Sequence, residues 1–234
     1  MILELGSKKR AISSYDEVGA RGTELRRIRG DAELADRHAS DKLKASEIKQ
    51  GGLILDVGCG EGLDIIGFTK NGTGVIGIDI SRGMLEACKR AHAEKGVDAP
   101  DLVLGDAEHL PFKDNAFDAV HSRDLSSFNT LYVGGASATS DPLTVLREMK
   151  RVSKMKGKIL TMLPIHDGVG CNFKPSCEEE LKYMYRHAQI SFQKVFYLSS
   201  SSTSGNQWLE RLLKRLRVRV AERSDFIVSI GKKD

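Results

Sequence analysis

Three glycines at alternate positions, Gly58, Gly60 and Gly62, follow the apolar run Leu53–Val57, in which Asp56 is the one charged residue. Glycine lets the main chain turn sharply and lets a ligand approach the backbone with no Cβ in the way. The helix-like segment beyond would present free N–H groups, which favour a carboxylate or other anion. A strand that stops at such a turn and feeds a helix builds a cofactor cradle. A dinucleotide fingerprint needs its third glycine at position 63, where Leu63 stands. A phosphate loop needs a Lys-Ser/Thr pair after the glycines, and none follows. Asp56 would repel a pyrophosphate and attract an ammonium group. The pattern predicts a nucleoside ligand with a cationic tail.

Other residues of the same kind are spread along the chain. Asp79 ends a strand-like run and Asp106 sits in a Gly-Asp-Ala context. The plain alternatives are a turn cap for Asp56, a helix N-cap for Asp79 and a turn former for Asp106. Cys59 reads as a small filler whose backbone, not thiol, faces the ligand. His121 and Arg123 stand at the end of the fourth strand, the edge where sites of α/β proteins lie. They are the candidate catalytic residues, although nothing in the sequence assigns a general base. His166, Cys171, Cys177 and His187 match no zinc-ligand spacing, so no metal is predicted.

These residues need a scaffold, and the chain alternates strand-like and helical patterns from about residue 53 onward. That alternation predicts βαβ units and a mostly parallel sheet. Strands are expected at 53–57, 74–79, 101–104, 117–121 and 158–162, with helices at 63–70, 81–95 and 142–153. Asp141 and Pro142 form a favoured helix start. A helix at 205–215 and an antiparallel hairpin of strands 216–221 and 226–231 are expected to close the chain. Residues 1–50 are polar and helix-prone, and 164–204 form an excursion from the alternation. Both are expected to cover a pocket.

The ordered motifs resemble those of the class I S-adenosylmethionine-dependent methyltransferases, with a methyltransferase-11 type domain. The matching residues are Asp56-Val57-Gly58-Cys59-Gly60-Glu61-Gly62, Gly77-Ile78-Asp79-Ile80-Ser81 with Met84-Leu85, and Gly105-Asp106-Ala107 through Phe112. Asn115 to Val120 and Asp141 to Val152 continue the likeness. The branch most similar contains quinone-biosynthesis and other small-molecule methyltransferases, in which a Tyr-Asp pair often folds over the cofactor, as Tyr15-Asp16 would here.

That resemblance implies a Rossmann-like three-layer αβα sandwich. Its seven-stranded sheet would run in the order 3-2-1-4-5-7-6 with strand 7 antiparallel. It implies S-adenosylmethionine as cofactor, with Asp79 on the ribose hydroxyls and Asp106 on the adenine amino group. Further contacts are implied at Asp56, Gly58, Cys59, Gly60, Gly62, Ile80, Met84, Ala107 and Ser122, with Tyr15 as a lid. The domain would span residues 51–234 behind an N-terminal helical cover at 1–50, and the loop 124–140 would carry substrate contacts.

Composition and charge bound the partners. No uninterrupted apolar run approaches a membrane span, and the four cysteines form no paired framework, so a reduced cytoplasmic protein is expected. The formal net charge of +4 is matched by the segment from Ser204 to Asp234, which holds eight Lys/Arg against four acids. A solvated face is the simplest reading of that tail. The resemblance to the small-molecule branch implies a small-molecule acceptor. A protein or RNA methyltransferase that docks its substrate through the basic tail is one alternative, and a non-catalytic binding module is another.

Overall fold

The strand Leu53–Val57 (β1) lies between two parallel neighbours, Gly74–Asp79 (β2) and Phe117–Arg123 (β4), and all but its first residue are buried. Burial on both faces explains why its sequence is apolar almost without interruption. The computed structural model describes residues 2–21, 32–98, 100–125, 128, 141–164, 174–198 and 226–234. Beyond β2 lies the edge strand Asp101–Leu104 (β3), and beyond β4 come Ser153–Pro164 (β5), Phe226–Lys232 (β7) and Ser191–Leu198 (β6). The sheet order is β3-β2-β1-β4-β5-β7-β6, with β7 antiparallel to both neighbours, as the family likeness implies.

Strand periodicity sorts the core into two layers. Ile54, Ala119 and Leu160 face one side, where Ala39 and Leu43 of the helix Ala32–Ser46 (α2) meet Ile65 and Phe68 of Leu63–Lys70 (α3). Arg82–Glu94 (α4) joins that layer through Leu85 and Cys88. Leu55, Val120 and Ile159 face the other side, against Pro142–Val152 (α5) and Lys174–His187 (α6). In α5 the buried Val145, Leu146, Met149 and Val152 recur at helical spacing. Its N-cap Asp141 accepts from the N–H of Thr144 at 2.9 Å. The N-terminal helix Ile2–Arg21 (α1) packs on α4.

Several expectations are corrected. β4 runs two residues past His121, to Arg123, and β5 is longer than 158–162, pairing with β4 from Ser153 and with β7 from Lys158 to Pro164. β7 has partners on both flanks, and the strand on its outer flank is Ser191–Leu198. A register shift between Phe192 and Lys194 breaks the alternation that would have announced that strand. Residues 174–198 of the expected excursion are therefore part of the sheet and its helix layer. The helix expected at 205–215, the strand expected at 216–221, His166 and Cys171 lie outside the described residues.

Candidate functional site

The glycine turn is stitched to β2: the N–H groups of Gly58 and Cys59 donate to the Ile78 carbonyl at 2.8 and 3.1 Å. Gly58 and Gly60 adopt φ of +69° and +52°, which L side chains rarely take. A Cβ on Gly60 would meet nothing within 4 Å, so the chain leaves open space above that residue. A Cβ on Gly58 would stand 2.4 Å from Leu125 Cδ1. Asp79 anchors the turn, its Oδ2 accepting from Gly60 N–H and its Oδ1 from Ser81 N–H, each at 2.9 Å. Burial pushes its carboxyl above the ordinary range, against the pull of those N–H groups.

A cleft of about 810 Å³, partly open to solvent, crosses the carboxyl ends of β3, β2, β1 and β4. Of the residues expected to contact a cofactor, Gly58, Gly60, Asp79, Ile80, Met84, Asp106, Ala107 and Tyr15 line it. Arg123 lines it too. Asp56, Cys59, Gly62, Ser122 and His121 do not. Gly62 packs against α4, where a Cβ would stand 2.3 Å from Cys88 Sγ. Cys59 is buried, and burial pushes its thiol well above the ordinary value. Ser122 is buried at the end of β4.

Asp56 and His121 are register partners on β1 and β4, and the His121 Nδ1 lies 2.7 Å from Asp56 Oδ1. The other ring nitrogen lies 3.1 Å from Nζ of Lys42, a lysine of α2 with no exposed surface. A lysine ammonium only donates, so Nε2 accepts and the Nδ1–H donates to Asp56. Lys42 also pairs with Asp64 Oδ1, and Arg123 Nη1 lies 3.5 Å from Asp64 Oδ2. Burial alone would raise Asp64, but the charges of Lys42 and Arg123 outweigh it and hold the carboxyl well below the usual range. Burial lowers Lys42 against the opposing pull of Asp64. His121 is thus a buried link, out of reach of a substrate in the cleft.

α1 closes the cleft from above. Lys8, Ala11 and Tyr15 line it at a spacing of three and four residues, which places them on one helix face. Asp16 Oδ1 accepts from Ser81 Oγ at 2.6 Å and from Gly83 N–H at 2.8 Å. The Ser81 hydroxyl, then the Gly83 N–H, hold Asp16 below the usual carboxylate range. α1 and α4 touch through Gly83, where a Cβ would come within 2.6 Å of the Asp16 backbone. Lys8 Nζ reaches Asp106 Oδ2 at 2.8 Å and also pairs with Glu108. Glu108 in turn accepts from the Asp141 N–H at 2.6 Å.

Sequence reasoning missed Lys8, Ala11, Lys42, Asp64, Asp124 and Leu125. The i, i+3, i+7 spacing in α1 was a usable sign for the first two. Lys42 offered none, because a buried lysine reads as a solvated one until its partners are known.

The sequence pattern of the methyltransferase-domain family matches residues 55–161, the span from β1 to β5 that holds the glycine turn, Asp79 and Asp106. The similarity lies with methyltransferase domains, over just under half of this chain. The chain is 35% identical over 131 residues to the demethylmenaquinone methyltransferase of Oceanobacillus iheyensis, covering 53% of this chain and 50% of that protein. It is 35% identical over 176 residues to the enzyme of that name from Anoxybacillus flavithermus, covering 73% and 65%. The matches thus span about half to two-thirds of those relatives' length. A solved S-adenosylmethionine-dependent methyltransferase from Aquifex aeolicus shares the fold, with a TM-score of 0.63 over 91% of this chain and 98% of that one, at 16% identity. The residues present suit the cofactor: a glycine turn leaves open backbone, and the acids Asp79 and Asp106 line the same cleft.

Proposed function

We propose that this protein is a methyltransferase that binds S-adenosylmethionine in the cleft between α1 and the sheet and transfers its methyl group in line to a small-molecule acceptor. The observation that carries the proposal is the unbroken cleft from Asp106 and Ala107, past Asp79, over Gly58 and Gly60, to Arg123 and Leu125. Adenine belongs at the β3 end, where its amino group would share Asp106 with Lys8. The ribose belongs over Asp79, and the reacting end lies beyond the glycine turn.

The cofactor supplies a methyl already activated by a sulfonium. The chain therefore has mainly to align the partners, a contribution that can reach several kcal/mol. α1 limits access of water, and Ile80, Met84 and Leu125 provide apolar wall. A cleft covered by a helix suits a compact acceptor better than a strand of RNA or a protein surface. The relatives named for demethylmenaquinone support a quinone-type small-molecule acceptor. The two described cysteines are free thiols, which fits a reducing cytoplasmic setting.

Incubating the protein with methyl-labelled S-adenosylmethionine and a cell extract tests the reading. Label should appear in the low-molecular-weight fraction and survive nuclease and protease treatment of the extract. Label confined to RNA or protein would overturn it.

A further inference from the structure

The cover helix α1 is fastened in two places that differ in kind. Its C-terminal half is clamped to α4 at close backbone range. Asp16 takes the Ser81 hydroxyl and the Gly83 N–H, and Arg90 Nη2 donates to the Gly19 carbonyl at 2.7 Å. A Cβ on Gly19 would stand 2.3 Å from the Gly83 carbonyl carbon, so the two helices meet there with no side chain between them. The second fastening is a single side chain, about 12 Å nearer the N-terminus along the helix. Lys8 Nζ pairs with Asp106 Oδ2 at 2.8 Å and also with Glu108 Oε2. Asp106 Oδ1 accepts from the Glu108 N–H at 3.0 Å, and Glu108 Oε1 accepts from the Asp141 N–H.

In the cofactor placement given above, the adenine amino group arrives at a carboxylate that Lys8 already holds. An amino group on adenine and a lysine ammonium are both donors, and their like partial charges repel when they converge on one carboxylate. Lys8 has a second carboxylate in contact, so it can yield Asp106 and keep an ion pair. We propose that Lys8 is a latch which the cofactor resets: adenine at Asp106 passes the ammonium to Glu108, and Glu108 then holds α1 closed over the bound nucleoside. Lys8 and Glu108 are positioning residues, with no part in the methyl transfer itself. This rests on the placement of the cofactor in the cleft.

The surroundings of Glu108 suit it to be the second seat. Its side chain is 15% exposed against 32% for Asp106, so a pair with Lys8 is less screened there. Burial opposes the charged form of Lys8, but the two carboxylates outweigh it and raise its pKa. Through Asp141, the N-cap of α5, Glu108 also touches the end of the 124–140 segment. A Lys8 seated on Glu108 therefore joins the cover, the loop that carries Asp106 and the start of α5. Lys8 lies outside the family-matched span, so the latch is an addition of the N-terminal helix to the matched domain.

Calorimetric titration with S-adenosylhomocysteine tests the exchange. Glu108→Gln keeps an acceptor for the Asp141 N–H but offers Lys8 no second carboxylate, so Lys8 stays on Asp106. Affinity should fall about 10-fold, the scale of one contested hydrogen bond to a charged group. Adding Lys8→Met removes the competitor and should bring affinity back to that of Lys8→Met alone, a coupling that loss of packing would not produce. Hydrogen exchange gives a second readout. Ligand should raise protection in the N-terminal half of α1 in wild type, and Lys8→Met should abolish most of that rise. If Glu108→Gln does not melt as wild type does, the exchange comparison decides. Wild-type affinity in Glu108→Gln, a double variant as weak as Glu108→Gln alone, or a full rise in protection in Lys8→Met would overturn the latch and leave the cofactor site standing. Wild-type protein that bound no S-adenosylhomocysteine would overturn the cleft placement, and the latch with it.

Discussion

Replacing Asp79 by alanine removes the acceptor of two main-chain N–H groups, from Gly60 and Ser81, at the centre of the cleft. Each orphaned donor costs about 1–3 kcal/mol where water cannot reach it. Asp79→Ala should therefore lower the urea midpoint and abolish measurable S-adenosylhomocysteine binding, while Asp79→Asn should keep more stability than affinity. Gly58→Val is a different kind of damage. It puts a β-branched residue at φ +69° and drives a Cβ toward Leu125, at a cost of about 1–2 kcal/mol for the backbone alone. Binding should fall below detection in the same titration. Lys42→Met breaks a buried ion pair and should cost about 3–5 kcal/mol in urea unfolding, partly restored by adding Asp64→Asn. A loss below about 1 kcal/mol, the range of a surface pair, would contradict the buried network. At this scale the sequence was most legible where a residue type has one common use. The placement of Gly58, Gly60 and Asp79 along one cleft is such a case. Asp56 misled because a strand-end acid can face its neighbouring strand as well as a ligand, and His121 opposite it decided the matter.

α1 docks on α4 and covers the cleft, which makes it the element to probe. Gly83→Val would force a side chain against the Asp16 backbone and should lift α1 from α4. Hydrogen exchange in residues 2–21 should then rise, with affinity for S-adenosylhomocysteine falling and the sheet unchanged. Protection of α1 that matched wild type would contradict this docking. Asp16 adds a pH dependence with a definite sign. Its folded value is depressed, so its contribution is complete above the unfolded value near pH 4 and drains away as pH falls through the folded one. Protection of α1, corrected for intrinsic rate, should stay level from about pH 5 to 8 and drop only in stronger acid. Asp16→Asn should remove that acid dependence. The elements β1, β2, β3 and α3 were read from sequence with their observed bounds, since each joins a clear period to a glycine or acid at its end. β6 escaped because its bulge removes the alternation on which strand reading depends.

Across the whole molecule, one sheet order does most of the functional work. Placing β1 and β4 at the centre brings the glycine turn beside Arg123, and placing β2 and β3 outward sets Asp79 and Asp106 in line with it. The family-matched span supplies that line, and the N-terminal helices finish the site from above with Lys8 and from below with Lys42. No described helix is long and apolar enough to cross a membrane. The fold was legible because it follows from ordered βαβ units. The acceptor was not, because methyl transfer asks for alignment more than for a fixed set of reacting groups. The central claim is that the covered cleft is the cofactor site. A crystal structure with S-adenosylhomocysteine tests it most directly. The account predicts the nucleoside along Asp106 and Asp79, with the rest of the ligand over the glycine turn. Ligand bound away from the glycine turn, or excluded from the cleft with α1 in place, would contradict it.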